Sequence, residues 1–173
     1  RVTDLAAELA DTPTLTDPAD VIEPLAPRIR PRIAALAAVR AETGPRSAAF
    51  GGRLPEDAGP MTLAQSINAA LTDSLAARPE MLVFGEDVGR SGGVFRVTDG
   101  LQAKFGSERV FDTPISETGF LGMALGAAMT GLRPIAEIMY ADFSFVAMDQ
   151  IVNQIATIHY SSAGRWKAPL VIR

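Results

Sequence analysis

Glu117 is the residue of this sequence whose surroundings best suit chemistry. It follows an apolar, strand-like end at Val110 and Phe111 and opens a run, 117–130, that is apolar and rich in glycine. A carboxylate in such surroundings is poorly solvated, which disfavours its charged form and raises its pKa. A carboxyl group with a raised pKa can exchange protons near neutral pH. The same residue would also suit a structural role in the first turn of a helix, where it interacts with the helix dipole.

Small residues recur every four positions after Glu117. Gly122, Gly126 and Thr130 would form one face of a helix, against which another helix could pack closely. Each glycine costs the helix about 1 kcal/mol relative to alanine, which favours a packing role. The glycines lie inside the predicted helix rather than in the turn before it, so the run does not match a dinucleotide-binding fingerprint.

The composition excludes several classes of site. The 173 residues contain no cysteine and one histidine, His159. Disulfides, thiolate metal sites and a cysteine nucleophile are therefore excluded, as is a mechanism that needs several histidines within these residues. The net charge of −4 argues against nucleic acid as a partner. No run approaches the roughly 20 apolar residues of a membrane span, and the first residues lack a basic and then apolar leader, so a cytoplasmic protein with no membrane partner is expected.

From residue 61 onward the chain alternates between two kinds of pattern. Thr62 and Gln65 have the spacing of a capping box, and apolar residues follow at helical spacing. Short apolar runs of strand length lie at 81–84, 110–111, 134–139 and 170–172, and helices are predicted at 97–105, 117–130 and 145–160. This alternation predicts an α/β fold with a mostly parallel sheet flanked by helices. Ligands of such sheets bind at the carboxyl ends of the strands, where Glu86 and residues 112–117 would lie.

Residues 1–60 differ in composition from the rest. They contain most of the 12 prolines and one aromatic residue, Phe50, so they can bury little apolar surface. Short helices are predicted at 3–10, 18–25 and 31–42, followed by a mobile linker rich in glycine and proline at 44–60. We therefore expect a helical connector over 1–60 and an incomplete α/β domain over 61–173. The chain starts without methionine and ends within an apolar run, so it is expected to be a piece of a longer polypeptide.

The spacing after Glu117 resembles a known family signature. Glu117, four further residues and then Gly122-Met123-Ala124-Leu125-Gly126-Ala127 resemble the motif of the pyrimidine-binding domain of thiamine diphosphate enzymes. Further runs, at 85–89, 92–95, 109–117, 131–138 and 148–154, resemble the beta subunit of the 2-oxo acid dehydrogenase E1 component. The resemblance extends from Met61 to Arg173.

The resemblance implies an activity and a set of site residues. The activity is thiamine diphosphate-dependent oxidative decarboxylation of a 2-oxo acid, pyruvate or branched-chain, with acyl transfer to the lipoyl group of the E2 component. The family's catalytic glutamate, which hydrogen-bonds N1′ of the aminopyrimidine and sets its tautomer, corresponds to Glu117. Phe143 corresponds to the aromatic residue that stacks on the pyrimidine, and Ile115 and Glu86 correspond to further cofactor-binding residues. The backbone carbonyl of Leu170 corresponds to a ligand of a structural potassium ion in some relatives.

The resemblance also implies partners outside this chain. An E1 alpha subunit or alpha-like half would bind the diphosphate and Mg²⁺, and a second beta copy would complete an α2β2 heterotetramer or a fused dimer. Lipoylated E2 would be a further partner. Residues 1–60 are similar to the connection in E1 proteins whose alpha-like and beta-like halves share one chain. The family's catalytic histidine and C-terminal domain would lie beyond residue 173, so this chain alone would not complete a turnover.

Two other functions stay open on the sequence. A transketolase-like or deoxyxylulose-phosphate-synthase-like enzyme would share the pyrimidine domain, although the runs 112–117 and 148–150 are nearer to E1 beta. A non-catalytic assembly module would keep the fold for dimerisation and docking, and the presence of Glu117 argues against it. His159 is expected to lie on the surface of a helix. The choice of 2-oxo acid depends on pocket residues that are mostly elsewhere.

Overall fold

The computed structural model describes residues 2–13, 16–19 and 43–173. The chain divides into two units, 1–39 and 40–173. The first unit contains helix α1, Val2–Ala10, which has no buried residue and confirms the helix predicted at 3–10. The other two helices predicted in the first sixty residues, at 18–25 and 31–42, lie outside the described residues except for 18 and 19.

The second unit begins with a segment that the sequence predicts to be a mobile linker. Helix α2, Thr43–Ala49, and a 3₁₀ turn, Pro55–Asp57, form there instead. The guanidinium of Arg46 lies 2.6 Å from a carboxylate oxygen of Glu56 and 2.6 Å from one of Asp73. Asp73 belongs to helix α3, Leu63–Ala77, so an ion pair between distant residues holds the segment on the domain. Glycine and proline signals are local, and they carry no information about such a partner.

Four strands of the described residues form one parallel sheet. They are β1 (Met81–Gly85), β2 (Val110–Asp112), β3 (Arg133–Glu137) and β4 (Val171–Ile172), in the spatial order β2-β1-β3-β4. Val83 of β1 pairs with Val110 on one side and with Ile135 on the other. Helices cross between the parallel strands, as the alternating pattern predicted.

Two further helices follow the strands. Helix α4, Leu101–Phe105, begins four residues later than predicted, because Gly100 adopts a positive φ angle of 75° that a right-handed helix cannot contain. Helix α5, Glu117–Met129, begins directly after Ser116, whose side chain accepts a hydrogen bond from the backbone N–H of Gly119. The predicted start of α5 is confirmed.

The core consists of two clusters on opposite faces of the sheet. Val83 and Ile135 face the cluster that includes Leu71 and Leu75 of α3. The next residues along the same two strands, Phe84 and Ala136, face the cluster that contains Phe120, Leu121 and Ala124 of α5. Adjacent side chains of a strand point to opposite faces of the sheet. Successive buried residues of β1 and β3 therefore contact α3 on one face and α5 on the other. This arrangement brings the first turn of α5 to the carboxyl edge of the sheet.

The segment after β3 departs from the sequence prediction. A single helix at 145–160 is predicted, but the chain forms a 3₁₀ helix (Ala141–Ala147), a π-helical turn (Gln150–Ile155) and a short helix α6 (Ile158–Ser161). Hydroxyl groups of Ser144, Thr157 and Ser161 donate hydrogen bonds to backbone carbonyls three or four residues earlier. Such side-chain hydrogen bonds compete with the backbone hydrogen bonds of a regular α-helix. The apolar spacing, taken alone, therefore predicts a longer helix than the one that forms.

Candidate active site

Glu86 and Glu117, two of the residues singled out by the sequence, follow neighbouring strands at the carboxyl edge of the sheet. Strand β1 ends at Gly85, just before Glu86, and β2 ends at Asp112, five residues before Glu117. The Asp112 carboxylate accepts a hydrogen bond of 2.7 Å from the backbone N–H of Gly89. This bond fixes the loop after β1 against the end of β2, and thereby the surroundings of Glu86.

Glu117 occupies the first turn of α5 and is half-buried. Ser116 caps the helix before it, and Phe120 and Leu121 pack into the core after it. The neighbouring Thr118 donates a hydrogen bond of 3.0 Å to the backbone carbonyl of Val146. The backbone at Glu117 is therefore held by a helix cap, by buried apolar side chains and by a hydrogen bond to the segment that carries Phe143.

Glu86 is the more deeply buried carboxyl group of the site, with 9% of its surface exposed. Its Oε1 atom has no hydrogen-bond partner among the described residues. Burial raises the pKa of Glu86, and the negative charges of Glu117 and Asp87 raise it further. The structure therefore brings Glu86 and Glu117 together. The sequence predicts a raised pKa at Glu117, whereas the carboxyl group whose pKa burial raises in the structure is Glu86.

Thr113 is a residue of this edge that sequence reasoning missed. Its backbone N–H donates a hydrogen bond of 2.9 Å to the carbonyl of Gly85. Its Oγ1 atom is buried without a hydrogen-bond partner among the described residues. A buried hydroxyl with no partner is costly, which makes Thr113 a candidate to bind a polar ligand atom. Its position directly after β2 was the only signal in the sequence.

Phe143 lies in the 3₁₀ helix that follows β3, and 39% of its surface is exposed. Its ring makes an edge-to-face contact with Tyr140, with 5.6 Å between ring centroids. Ile115 is 86% exposed in the loop before α5. Both side chains are therefore accessible for contact with a ligand or another chain.

The packing of Leu170 and the hydrogen bond of His159 involve neither Glu86 nor Glu117. Leu170 packs against the α5 side of the core, next to β4. His159 is exposed in α6, as predicted, with Nδ1 2.9 Å from the backbone carbonyl oxygen of Trp166. Among the described residues there is no group of three or more His, Asp or Glu side chains arranged to hold a metal ion.

The small-residue face of α5 has one close neighbour. A Cβ atom at Gly122 would lie 3.4 Å from Oε1 of Gln150, in the π-helical turn. A Cβ atom at Gly126 would have no described atom within 4 Å. The predicted close approach of another element is therefore found at Gly122 and not, within the described residues, at Gly126.

The fold and this edge define a family. Residues 59–173 match the family described as transketolase, pyrimidine binding domain. The match covers well over half of the chain, and the protein belongs to this family. The all-parallel sheet with helices on both faces agrees with it.

The more specific similarity is to E1 beta subunits. The chain is 51% identical over 113 residues to the pyruvate dehydrogenase E1 component subunit beta of Staphylococcus epidermidis, and 50% identical over 113 residues to the proteins of that name from Bacillus subtilis and Staphylococcus aureus. Each match covers 65% of this chain and 35% of the relative. The chain thus spans about a third of the length of the curated relatives that it matches. No helix in the described part of the chain is both long and apolar enough to cross a membrane.

Proposed function

We propose that this chain supplies the pyrimidine-binding part of a thiamine diphosphate-dependent E1 enzyme. The enzyme decarboxylates a 2-oxo acid, pyruvate or branched-chain, and transfers the acyl group to the lipoyl group of E2. The observation that carries the proposal is the position of Glu117, in the first turn of α5 at the carboxyl edge and beside the buried Glu86. The similarity to pyruvate dehydrogenase E1 beta subunits supports it and favours pyruvate.

The residues of the edge fit an aminopyrimidine. An aminopyrimidine has ring nitrogens, an amino group and two flat faces, so it needs a carboxylate, polar partners and an aromatic surface. Glu117 supplies the carboxylate, and the exposed ring of Phe143 supplies an aromatic surface. Oε1 of Glu86 and Oγ1 of Thr113, which have no hydrogen-bond partner among the described residues, supply polar atoms for the ligand. When bound, thiamine diphosphate provides the electron sink that decarboxylation requires.

The chain's own contribution to the chemistry is control of a proton. From the first turn of α5, Glu117 would hold a proton at N1′ of the pyrimidine ring. Glu86 keeps a second carboxyl group, with a raised pKa, within electrostatic range of the first. Ile115 and Phe143, whose side chains are exposed in the structure, would contact the ring. The proposed roles are those of Glu117 as catalytic residue and of Ile115, Phe143 and Glu86 as cofactor-binding residues.

Partners complete the proposed enzyme. An E1 alpha subunit or an alpha-like half binds the diphosphate and Mg²⁺, a second beta copy completes an α2β2 or fused dimer, and lipoylated E2 accepts the acyl group. The backbone carbonyl of Leu170 is proposed as a potassium ligand.

The test is Glu117→Gln in the assembled protein, meaning the full-length polypeptide with its partner subunits. Lipoamide-dependent release of carbon dioxide should fall by about 100-fold or more, the usual contribution of a positioned acid or base. The matched control is Glu108→Gln, which changes an exposed glutamate beyond α4 and should keep the wild-type rate. A wild-type rate for Glu117→Gln would contradict the role of this carboxylate. A wild-type protein that binds no thiamine diphosphate would instead favour the assembly module.

A further inference from the structure

Three aromatic rings form a continuous row beside the carboxyl edge. The ring of Phe95 lies edge-to-face on Tyr140, with 5.8 Å between centroids and 71° between planes. Tyr140 lies edge-to-face on Phe143, with 5.6 Å and 79°. We propose that Phe95 and Tyr140 are positioning residues that hold the ring of Phe143 in the orientation in which it stacks on the pyrimidine. This inference rests on the proposed function.

Phe143 lies outside the buried core, and its ring contacts the ring of Tyr140. It is not a member of either buried core cluster of the described residues, and neither are Tyr140 and Phe95. The backbone N–H of Phe143 donates a hydrogen bond of 3.0 Å to the carbonyl of Tyr140, so the two residues share one turn of the 3₁₀ helix. Residues three apart in such a turn project on the same side. Tyr140 is therefore the immediate neighbour that restricts rotation of the Phe143 ring.

Phe95 belongs to a loop that the structure anchors at many points. Before it, the backbone N–H of Gly93 donates a hydrogen bond of 2.7 Å to the carbonyl of Asp87. After it, the hydroxyl of the fully buried Thr98 donates one of 2.8 Å to the carbonyl of Val88. The side chain of Asn68, on α3, donates one of 2.7 Å to the carbonyl of Val97. The exposed ring of Phe95 is thus presented from a fixed backbone rather than from a loose loop.

The row connects two elements of the proposed site. Phe95 comes from the same loop as Glu86, after β1, whereas Tyr140 and Phe143 come from the segment after β3. Edge-to-face pairs are favourable beyond the apolar area that they bury. The ring of Phe95 therefore helps to fix the position of the Phe143 ring relative to the carboxyl groups of Glu86 and Glu117.

The expected effect is on cofactor binding rather than on proton transfer. Phe95→Leu keeps an apolar side chain but removes the edge-to-face contact, so the Kd and the KM for thiamine diphosphate should rise about three- to tenfold. At saturating cofactor, kcat should change by less than about twofold, because Glu117 is intact. Phe95→Tyr restores the ring and should restore the wild-type Kd. Tyr140→Leu should act like Phe95→Leu, and Tyr140→Phe like the wild type.

A double-mutant cycle separates positioning from direct contact. Thiamine diphosphate is titrated calorimetrically into the assembled wild type, Phe95→Leu, Phe143→Leu and the double variant, with unfolding midpoints to check the fold. If Phe95 acts through Phe143, the double variant should bind no more weakly than Phe143→Leu alone. Additive losses would overturn the proposal, and so would a wild-type Kd for Phe95→Leu.

Two controls distinguish this inference from its foundation. Tyr160→Leu removes an exposed aromatic residue of α6 that is not part of the row, and this variant should bind thiamine diphosphate like the wild type. If Tyr160→Leu lost as much affinity as Phe95→Leu, the effect would be general to exposed aromatic residues and the proposal would be overturned. Failure of the wild type to bind thiamine diphosphate would overturn the proposed function itself. Normal binding by the wild type together with no effect at positions 95 and 140 would overturn only the positioning role.

Discussion

Glu86 and Glu117 stand on different elements, and the negative charge of Glu117 contributes to the raised pKa of Glu86. Burial is the larger cause, because Glu86 lies in the edge of the core with one oxygen partnerless among the described residues. The relationship leads to two predictions about pH.

The first prediction concerns Glu86→Gln. Between its ordinary pKa of 4.5 and its raised pKa, the folded protein binds more protons at Glu86 than the unfolded chain does. The free energy of unfolding therefore falls as the pH rises through this window. A glutamine side chain at position 86 cannot ionise, so the variant should unfold at a higher temperature than the wild type at about pH 8, and the gain should shrink toward about pH 5. Unfolding midpoints across pH measure it, and a gain that grows on acidification would contradict it.

The second prediction concerns the charge of Glu117 itself. Glu117→Gln removes one of the causes that raise the pKa of Glu86, so the pKa of Glu86 should fall toward its ordinary value. The free energy of unfolding falls with pH between the ordinary pKa of Glu86 and its raised pKa, so the upper limit of this pH range should move to lower pH in the variant. The same unfolding series, run on Glu117→Gln, measures this change. An unchanged window would mean that the two carboxyl groups do not interact.

The third prediction concerns Gly85, at the end of β1. A Cβ atom there would lie 2.5 Å from the backbone carbonyl oxygen of Glu137, on the neighbouring strand. Gly85→Ala should therefore push β1 and β3 apart just before Glu86, with a loss of about 1–3 kcal/mol in stability and weaker cofactor binding. The matched control is Gly44→Ala in α2, where a Cβ meets no atom within 4 Å; it should be neutral or stabilising by up to about 1 kcal/mol. Equal midpoints for the two variants would refute the steric argument.

The fourth prediction concerns Arg109, just before β2. Its guanidinium donates hydrogen bonds to the backbone carbonyls of Leu75, Arg78 and Met81, at the end of α3 and the start of β1. Burial lowers the pKa of Arg109, but an arginine stays charged. Arg109→Met should cost about 1–3 kcal/mol, because the carbonyls of Leu75 and Met81 lose this donor. The carbonyl of Arg78 keeps a hydrogen bond from the backbone N–H of Met81. Denaturant unfolding measures the loss, with the exposed Arg165→Met as a control that should stay within about 0.5 kcal/mol of the wild type.

The fifth prediction concerns the segment that carries Arg46. Its ion pairs with Glu56 and Asp73 hold residues 43–57 on the domain. Arg46→Ala should increase amide hydrogen exchange in this segment while the strands keep their protection. The control is Arg53→Ala, which loses a single hydrogen bond, to the carbonyl of Asp57, and should change exchange less. Equal exchange in both variants would show that Arg46 is not the anchor.

The elements that the sequence predicted well are those fixed by local signals. Thr62 with Gln65 and Ser116 before α5 are caps, and caps act over three residues. The strands were found because short apolar runs are bounded by glycine or polar residues. One prediction failed because a distant residue decides: Asp73 anchors a segment that its glycines and prolines mark as a linker. The prediction of a single helix at 145–160 failed for a local reason, since hydroxyl groups such as that of Thr157 bond to backbone carbonyls within this range.

For the site, the types and spacing of residues predicted the family, which is confirmed, and led to the proposal of Glu117 as the catalytic carboxylate. Glu117, Gly122 and Gly126 are close in sequence, so a linear motif carries them. The tertiary structure alone decided which carboxyl group is desolvated, since burial at Glu86 depends on α5 and on strands far along the chain. It also decided that Thr113 lacks a partner and that Phe95 reaches Tyr140. Burial, and contacts between separate elements, depend on residues that are distant in the sequence. A local pattern of residues therefore cannot predict them.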